Sequence, residues 1–294
     1  MLPNAFIVGV EKAGTTALYN ALSRHPEVTS SHVKETHFFD PLRFGEPLPE
    51  MTEYQQMFPP GNGNTRITLE ATPGYFTGGT VVAEAIRKWA PNGKAVIVLR
   101  DPTTRAFSWW RFVRSRLRVS QNLSFEEYLQ ICEAKGLEPE RHRGLGPWRA
   151  LSGGRYELWL AQWMTVFGED LLVLFHEDLR TDGDKFAEQV AQHFELDAEA
   201  LVFSSDNAST DITNASAQRM ALAMNAAGDR FWTRAPWLKS ALRRGYYALN
   251  ARDEQAVIAL ETQRWLNEYY ATTRAEVARE LGRVPLSWTE GKDR

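Results

Sequence analysis

Residues 6–16 place a lysine inside a loop built to meet an anion. They read Phe6-Ile7-Val8-Gly9-Val10-Glu11-Lys12-Ala13-Gly14-Thr15-Thr16 and run on into Ala17-Leu18-Tyr19-Asn20-Ala21-Leu22. An apolar strand enters a glycine-bounded turn and a helix follows at once, which aims backbone N–H groups and the helix dipole at one point. A loop for ATP or GTP needs Gly-x-x-x-x-Gly-Lys-Ser/Thr, so that the lysine reaches the β- and γ-phosphates and the hydroxyl holds Mg²⁺. Gly9 and Gly14 keep that spacing, but Thr15 occupies the lysine position and Lys12 sits inside the loop. The pattern fits a nucleotide phosphate and not a triphosphate with magnesium.

A second segment, Lys34-Glu35-Thr36-His37-Phe38-Phe39-Asp40, packs charged and titratable groups around two phenylalanines. Desolvating such groups is costly unless they pair. A carboxylate or imidazole against an apolar wall can have its pKa moved toward neutrality, as proton abstraction from an alcohol requires. Glu35 and His37 are therefore both candidate bases. Two residues apart in an extended segment, their side chains are expected to face opposite ways.

The third segment is Ala95-Val96-Ile97-Val98-Leu99-Arg100-Asp101-Pro102, then Thr103-Thr104-Arg105-Ala106-Phe107-Ser108. The apolar run predicts a central parallel strand, ended by Pro102, with a helix starting among the threonines. Arg100 then stands at the carboxyl end of that strand, where open α/β sheets place their ligands, and a guanidinium suits bidentate phosphate contact. Ser108 offers a hydroxyl from the following helix. Reading Asp101 as a magnesium ligand of a nucleotide kinase competes with this, but Arg100 beside it opposes a cation. The fourth segment runs from Gly153-Gly154-Arg155-Tyr156 through Leu160, Trp163 and Phe167 to Gly168, then Leu171–Phe175. Its spacings of four, three and four predict one helical face on a sheet, with Gly168 at the helix end.

These four segments, in order over roughly residues 5–180, resemble PAPS-dependent sulfotransferases (PAPS is 3′-phosphoadenosine 5′-phosphosulfate), and most closely the heparan-sulfate sulfotransferase branch and its bacterial relatives. The resemblance implies sulfonate transfer from PAPS to a hydroxyl, less often an amine, of a carbohydrate or secondary-metabolite acceptor, releasing PAP and needing no metal. It implies that Lys12, Ala13, Gly14, Thr15 and Thr16 cradle the 5′-phosphosulfate and that Lys12 meets charge growing on the leaving oxygen. It gives the 3′-phosphate to Arg100 and Ser108, and a place lining the nucleotide pocket to Tyr156. Glu35 becomes the base, with Lys34 and His37 beside it, although other branches of the family use histidine. The family's Lys-Gly-Arg cap element and its cysteine pair are not found here, which leaves Arg219 as the candidate for the third wall. A nucleotide kinase and a non-catalytic nucleotide-binding protein are the rival readings.

The elements that must position these residues follow from the alternation of patterns. Strands are predicted near 5–10, 27–31, 66–71, 95–100 and 171–176, with helices near 14–24, 80–90, 104–118, 124–135, 154–167, 184–194 and 252–280. That alternation predicts an α/β, P-loop-like three-layer fold with a central, mainly parallel sheet flanked by helices. The turn-rich stretch 41–60 is expected to frame the acceptor cleft. Residues 200–245 read as polar loop leading to Phe231-Trp232 and Pro236-Trp237, which could fold over the nucleotide. With no Pro/Gly/Ser-rich linker, residues 1–294 read as one domain, a nucleotide-binding core at about 1–180 and a helical and cap region at about 181–294.

Composition bounds the rest. The 294 residues are 43% hydrophobic and 24% charged, an ordinary globular balance. A net charge of −3 gives no global reason to expect nucleic-acid binding, and the basic stretches 111–118 and 242–244 read as helix faces that can also meet an anionic cofactor. One cysteine, Cys132, allows no internal disulfide and no cysteine-rich zinc site, and the six histidines lack metal-ligand spacing. With no leader pattern and no apolar run of spanning length, a cytoplasmic enzyme of bacterial type is expected.

Overall fold

The strands form where the apolar runs are continuous. The computed structural model describes residues 1–203, 211–212, 251–252 and 257–289. β1 (Ala5–Gly9) is buried throughout. With β2 (Val28–Ser30), β3 (Ile67–Ala71), β4 (Lys94–Leu99) and β5 (Leu171–Phe175) it forms a sheet of order β2-β3-β1-β4-β5. Every neighbouring pair is parallel. β4 is buried over Ala95–Leu99, as inner strands covered on both faces must be. The chain passes from β3 on one side of β1 to β4 on the other, so the carboxyl ends of β1 and β4 open onto the crevice where such sheets bind ligands.

The helices that follow are α1 (Thr15–Ser23), α2 (Met51–Gln56), α3 (Gly79–Trp89), α4 (Pro102–Ser115), α5 (Phe125–Lys135), α6 (Glu138–Arg141), α7 (Leu160–Phe167), α8 (His176–Thr181) and α9 (Gly183–Phe194). Of these, α2, α6 and α8 are not among the helices expected from the sequence. Beyond them lie α10 (Leu260–Tyr269) and α11 (Ala271–Leu281). One apolar cluster surrounds the sheet, with Phe6, Val96, Val98 and Trp163 at its centre. A second joins α4, α5 and α10 through Trp109, Phe125, Leu266 and Tyr270. No helix among the described residues is long and apolar enough to cross a membrane.

Three expectations need correction. The helix predicted over 154–167 begins only at Leu160; Ser152–Gly154 and Tyr156–Leu158 are separate 3₁₀ turns. Gly154 sits against Tyr270, whose hydroxyl a Cβ would approach to 2.8 Å, and the two turns bring Tyr156 beneath the end of β4, where its hydroxyl donates to the Arg100 carbonyl at 2.7 Å. The helix predicted over 252–280 starts at Leu260 and breaks at Tyr270, whose buried hydroxyl donates to the carbonyls of Ala150 and Leu151. Within 41–60, a 3₁₀ turn at Asp40–Phe44 and α2 replace irregular loop, because the Tyr54 ring is buried against Phe38 and Phe39. Arg219, Phe231-Trp232 and Pro236-Trp237 lie outside the described residues.

Candidate active site

The loop after β1, the candidate cofactor loop, turns twice through left-handed backbone, at Lys12 (φ 70°) and Gly14 (φ 87°). Glycine is required at 14 on two grounds. It holds a positive φ at the N-terminus of α1, and a Cβ there would stand 2.8 Å from Nδ1 of His176. No side chain caps α1, so its first amides remain available to an anion. Ala13 and Thr15 are buried within the loop and Thr16 is exposed.

Arg100 reaches across from the end of β4. Its Nη1 donates to the Lys12 carbonyl at 3.0 Å and its Nε to Thr104 Oγ1 at 3.1 Å. Burial holds its pKa below the usual guanidinium value. Two cations thus share one crevice. Burial, with Arg100 and Arg116 adding to it, brings the Lys12 ammonium down to about 8 against the opposing pull of Glu11 and Glu35. Ser108 is buried on α4, two turns beyond Arg100. Tyr156 is fully buried behind Arg100, with its hydroxyl committed to the Arg100 carbonyl.

Asp101 is engaged elsewhere. Its Oδ1 caps α4 by accepting from the Thr104 amide at 2.9 Å, and its Oδ2 pairs with Arg274 of α11 at 2.8 Å. A capped and paired carboxylate has the role of a structural anchor, which removes the argument for a magnesium ligand at this position.

The candidate acid–base segment, residues 34–40, departs from the extended conformation expected of it. Glu35 and His37 both adopt positive φ, 70° and 55°. Their side chains therefore converge instead of facing opposite ways, with His37 Nε2 3.7 Å from Glu35 Oε2. Lys34 Nζ holds the other oxygen of Glu35 at 2.7 Å. On its far side, His37 Nδ1 lies 2.7 Å from Asp40 Oδ2. The Asp40 hydrogen bond raises the His37 pKa against the effect of burial. Burial works to raise the Asp40 pKa as well, but the His37 bond and the Arg43 charge outweigh it and hold the carboxylate ionised.

Asp40 is the partner of His37 that the sequence reading did not single out; its place three residues after His37, at the head of a helical turn, was the available signal. It also opens a buried chain of alternating charges. Arg43 Nη1 meets Asp40 at 3.4 Å and its Nη2 meets Glu140 at 3.2 Å. Glu140 lies 3.5 Å from Arg149 Nε, and Arg149 pairs with Glu11 in the cofactor loop. Glu140 keeps its charge despite burial because two guanidiniums face it.

Beneath the segment, Glu70 at the end of β3 is fully buried and accepts from four hydroxyls: Thr36, Tyr54, Tyr75 at 2.6 Å and Thr72 at 3.1 Å. The same hydroxyls hold the loop above, because Tyr75 accepts from the Phe39 amide at 3.1 Å and Thr72 from the His37 amide at 3.4 Å. Glu70 on β3, with Thr72 and Tyr75 just beyond the strand, thereby fixes the turn that carries Glu35 and His37.

Comparisons with known proteins bear on the family and the fold. Residues 2–224 match the sulfotransferase domain family. Bifunctional heparan sulfate N-deacetylase/N-sulfotransferase 2 of Bos taurus and that of Homo sapiens are each 33% identical over 186 residues, 62% of this chain and 20% of the relative. The chain thus spans about a fifth of the length of these curated relatives. The crystal structure of a sulfotransferase from Alicyclobacillus acidocaldarius shares the fold, with a TM-score of 0.71 and 21% identity over 99% of this chain and 100% of that one. Sulfonate transfer, and not the phosphoryl transfer of a kinase, is the chemistry that goes with the match over residues 2–224. With that match covering most of its length, the chain belongs to the sulfotransferase domain family.

Proposed function

We propose that this protein transfers a sulfonate group from PAPS to a hydroxyl of a carbohydrate or secondary-metabolite acceptor. The observation that carries the reading is the joining of two halves of a site: an unbroken run of ion pairs leads from Glu11 in the loop after β1 through Arg149, Glu140 and Arg43 to Asp40, which holds His37 beside Glu35. The donor set suits the cofactor. The uncapped start of α1, with Thr15 and Thr16, would receive the 5′-phosphosulfate, and Arg100 with Ser108 the 3′-phosphate. Tyr156 supports that pocket from behind by fixing the backbone of Arg100.

When bound, PAPS supplies the activated sulfonate. Lys12 presents a preorganised positive charge beside the loop. Glu35 takes the acceptor proton as general base, with Lys34 on one oxygen and His37 facing the other. His37 donates through Nδ1 to Asp40, which fixes its ring and turns Nε2 toward Glu35. Transfer to an amine is the second reading, favoured by the N-sulfotransferase names of the similar relatives.

The reading treats residues 1–294 as one catalytic domain, supported by Arg274 of α11 pairing with Asp101 beside Arg100. A cytoplasmic location belongs to it too, and the single cysteine, Cys132, suits a reducing compartment. The test is thermal stabilisation by PAP without divalent metal, against ATP with magnesium, followed by incubation with labelled PAPS and a panel of cell extracts. Stabilisation by ATP with magnesium alone, or no labelled product from any extract, would sink it.

A further inference from the structure

Helix α4 carries Trp109 and Phe112 one turn apart, and Arg116, which caps the helix end, continues the same face four residues on. That face meets the cofactor loop. Lys12 Nζ stands 4.5 Å from the centroid of the Phe112 ring, and the Arg116 guanidinium lies 5.5 Å from the same ring. The Phe112 and Trp109 rings are 5.5 Å apart, and the guanidinium of Arg149 sits 5.4 Å from the Trp109 ring. Arg149 in turn pairs with Glu11. The two neighbouring charged side chains of the loop are therefore held through adjacent aromatic residues of one helix.

The charges facing Lys12 come from four places: Arg100 at the end of β4, Arg116 at the end of α4, Glu11 in the loop itself and Glu35 in the acid–base segment. Two guanidiniums and burial oppose a third cation in this crevice. The negative face of an aromatic ring attracts an ammonium without introducing a carboxylate that would compete for it with an anionic ligand. We propose that Phe112 is a positioning residue for Lys12: its ring face seats the ammonium beside the cofactor loop and favours its charged form among neighbouring guanidiniums. This rests on reading Lys12 as the cation that meets the cofactor.

An aliphatic residue of similar bulk would keep the apolar contact and lose the ring's field. The test is an NMR titration of the full chain labelled at lysine ¹³Cε, with the Lys12 signal assigned by its loss in Lys12→Arg. Phe112→Leu should lower the Lys12 midpoint by about half a unit to one unit, and Phe112→Trp should hold or raise it. An unchanged or raised midpoint in Phe112→Leu, or a lowered one in Phe112→Trp, would overturn the proposal. Should the leucine variant fail to fold, the tryptophan variant still decides. Calorimetry with PAP on the wild-type chain reports on the cofactor reading separately, since the lysine titration needs no ligand.

Discussion

Asp40 holds His37 from the side opposite Glu35, its Oδ2 2.7 Å from His37 Nδ1. The imidazole is thus set between two carboxylates, and its proton has a fixed place at Nδ1 whether or not the second nitrogen is charged. Asp40→Asn removes the charge and keeps the size of the side chain. The His37 titration midpoint, followed by NMR, should fall by about one unit. An unmoved midpoint would mean that Asp40 does not govern His37.

Glu35 and His37 can be separated as bases by their variants. Glu35→Gln keeps shape and removes basicity, so turnover with PAPS and an acceptor identified by labelling should drop by roughly 10²–10⁴ while PAP affinity stays unchanged. His37→Ala should lose less, because His37 orients Glu35 in this arrangement. Near-normal turnover in Glu35→Gln with none in His37→Ala would reverse the assignment.

Arg100→Ala should weaken PAP far more than an analogue lacking the 3′-phosphate. Loss of a charge-assisted hydrogen bond costs about 1.5–3 kcal/mol, or about one to two decades in dissociation constant. Calorimetry with the two ligands makes the comparison, and equal losses would show that Arg100 does not read the 3′-phosphate.

Two half-buried histidines set the acid side of the stability profile. Burial, with Lys94 beside it, brings His193 down to about 4, and its Nε2 stays 3.1 Å from the Ala95 carbonyl. Burial and the Arg100 charge bring His176 down to about 4 as well. For each, the unfolded chain binds more protons than the folded one between the usual histidine value, about 6.5, and about 4, so stability rises with pH through that window. His37 works in the opposite sense, its stabilisation being lost as pH rises through its elevated folded value, but its side chain is 55% exposed and contributes little. Urea midpoints should therefore fall as pH drops from about 6.5 to about 4, and His193→Gln should flatten the slope. A flat wild-type profile across that window would refute this account.

The strands and the turn from β1 into α1 were legible because their signals are local. Continuous apolar runs marked β1 and β4, and the two glycines with the displaced Lys12 marked the turn between β1 and α1. Arg100 was placed by the strand end alone. The charge chain was not legible, since Asp40 and Arg43 meet Glu140 and Arg149 about a hundred positions away and no spacing announces them. Nor do residue types announce positive φ at Glu35 and His37, where hydroxyls around Glu70 hold the backbone against its ordinary preference. Tyr156 misled for a related reason. Its period with Leu160, Trp163 and Phe167 is helical on paper, yet Tyr156–Leu158 forms a separate 3₁₀ turn that seats its hydroxyl on the distant Arg100 carbonyl.

The chain from Glu11 to His37 also limits how the enzyme can be re-engineered. A chimaera that exchanges only residues 34–40 for another sequence would discard Asp40 and leave Arg43, whose side chain is 3% exposed, with Glu140 as its sole carboxylate partner among those described. Breaking such a buried pairing costs about 3–5 kcal/mol. The transplantable unit is thus a discontinuous one, residues 34–43 together with 138–152 and the cofactor loop, and acceptor-swapping libraries built on a single contiguous cassette should yield mostly insoluble protein.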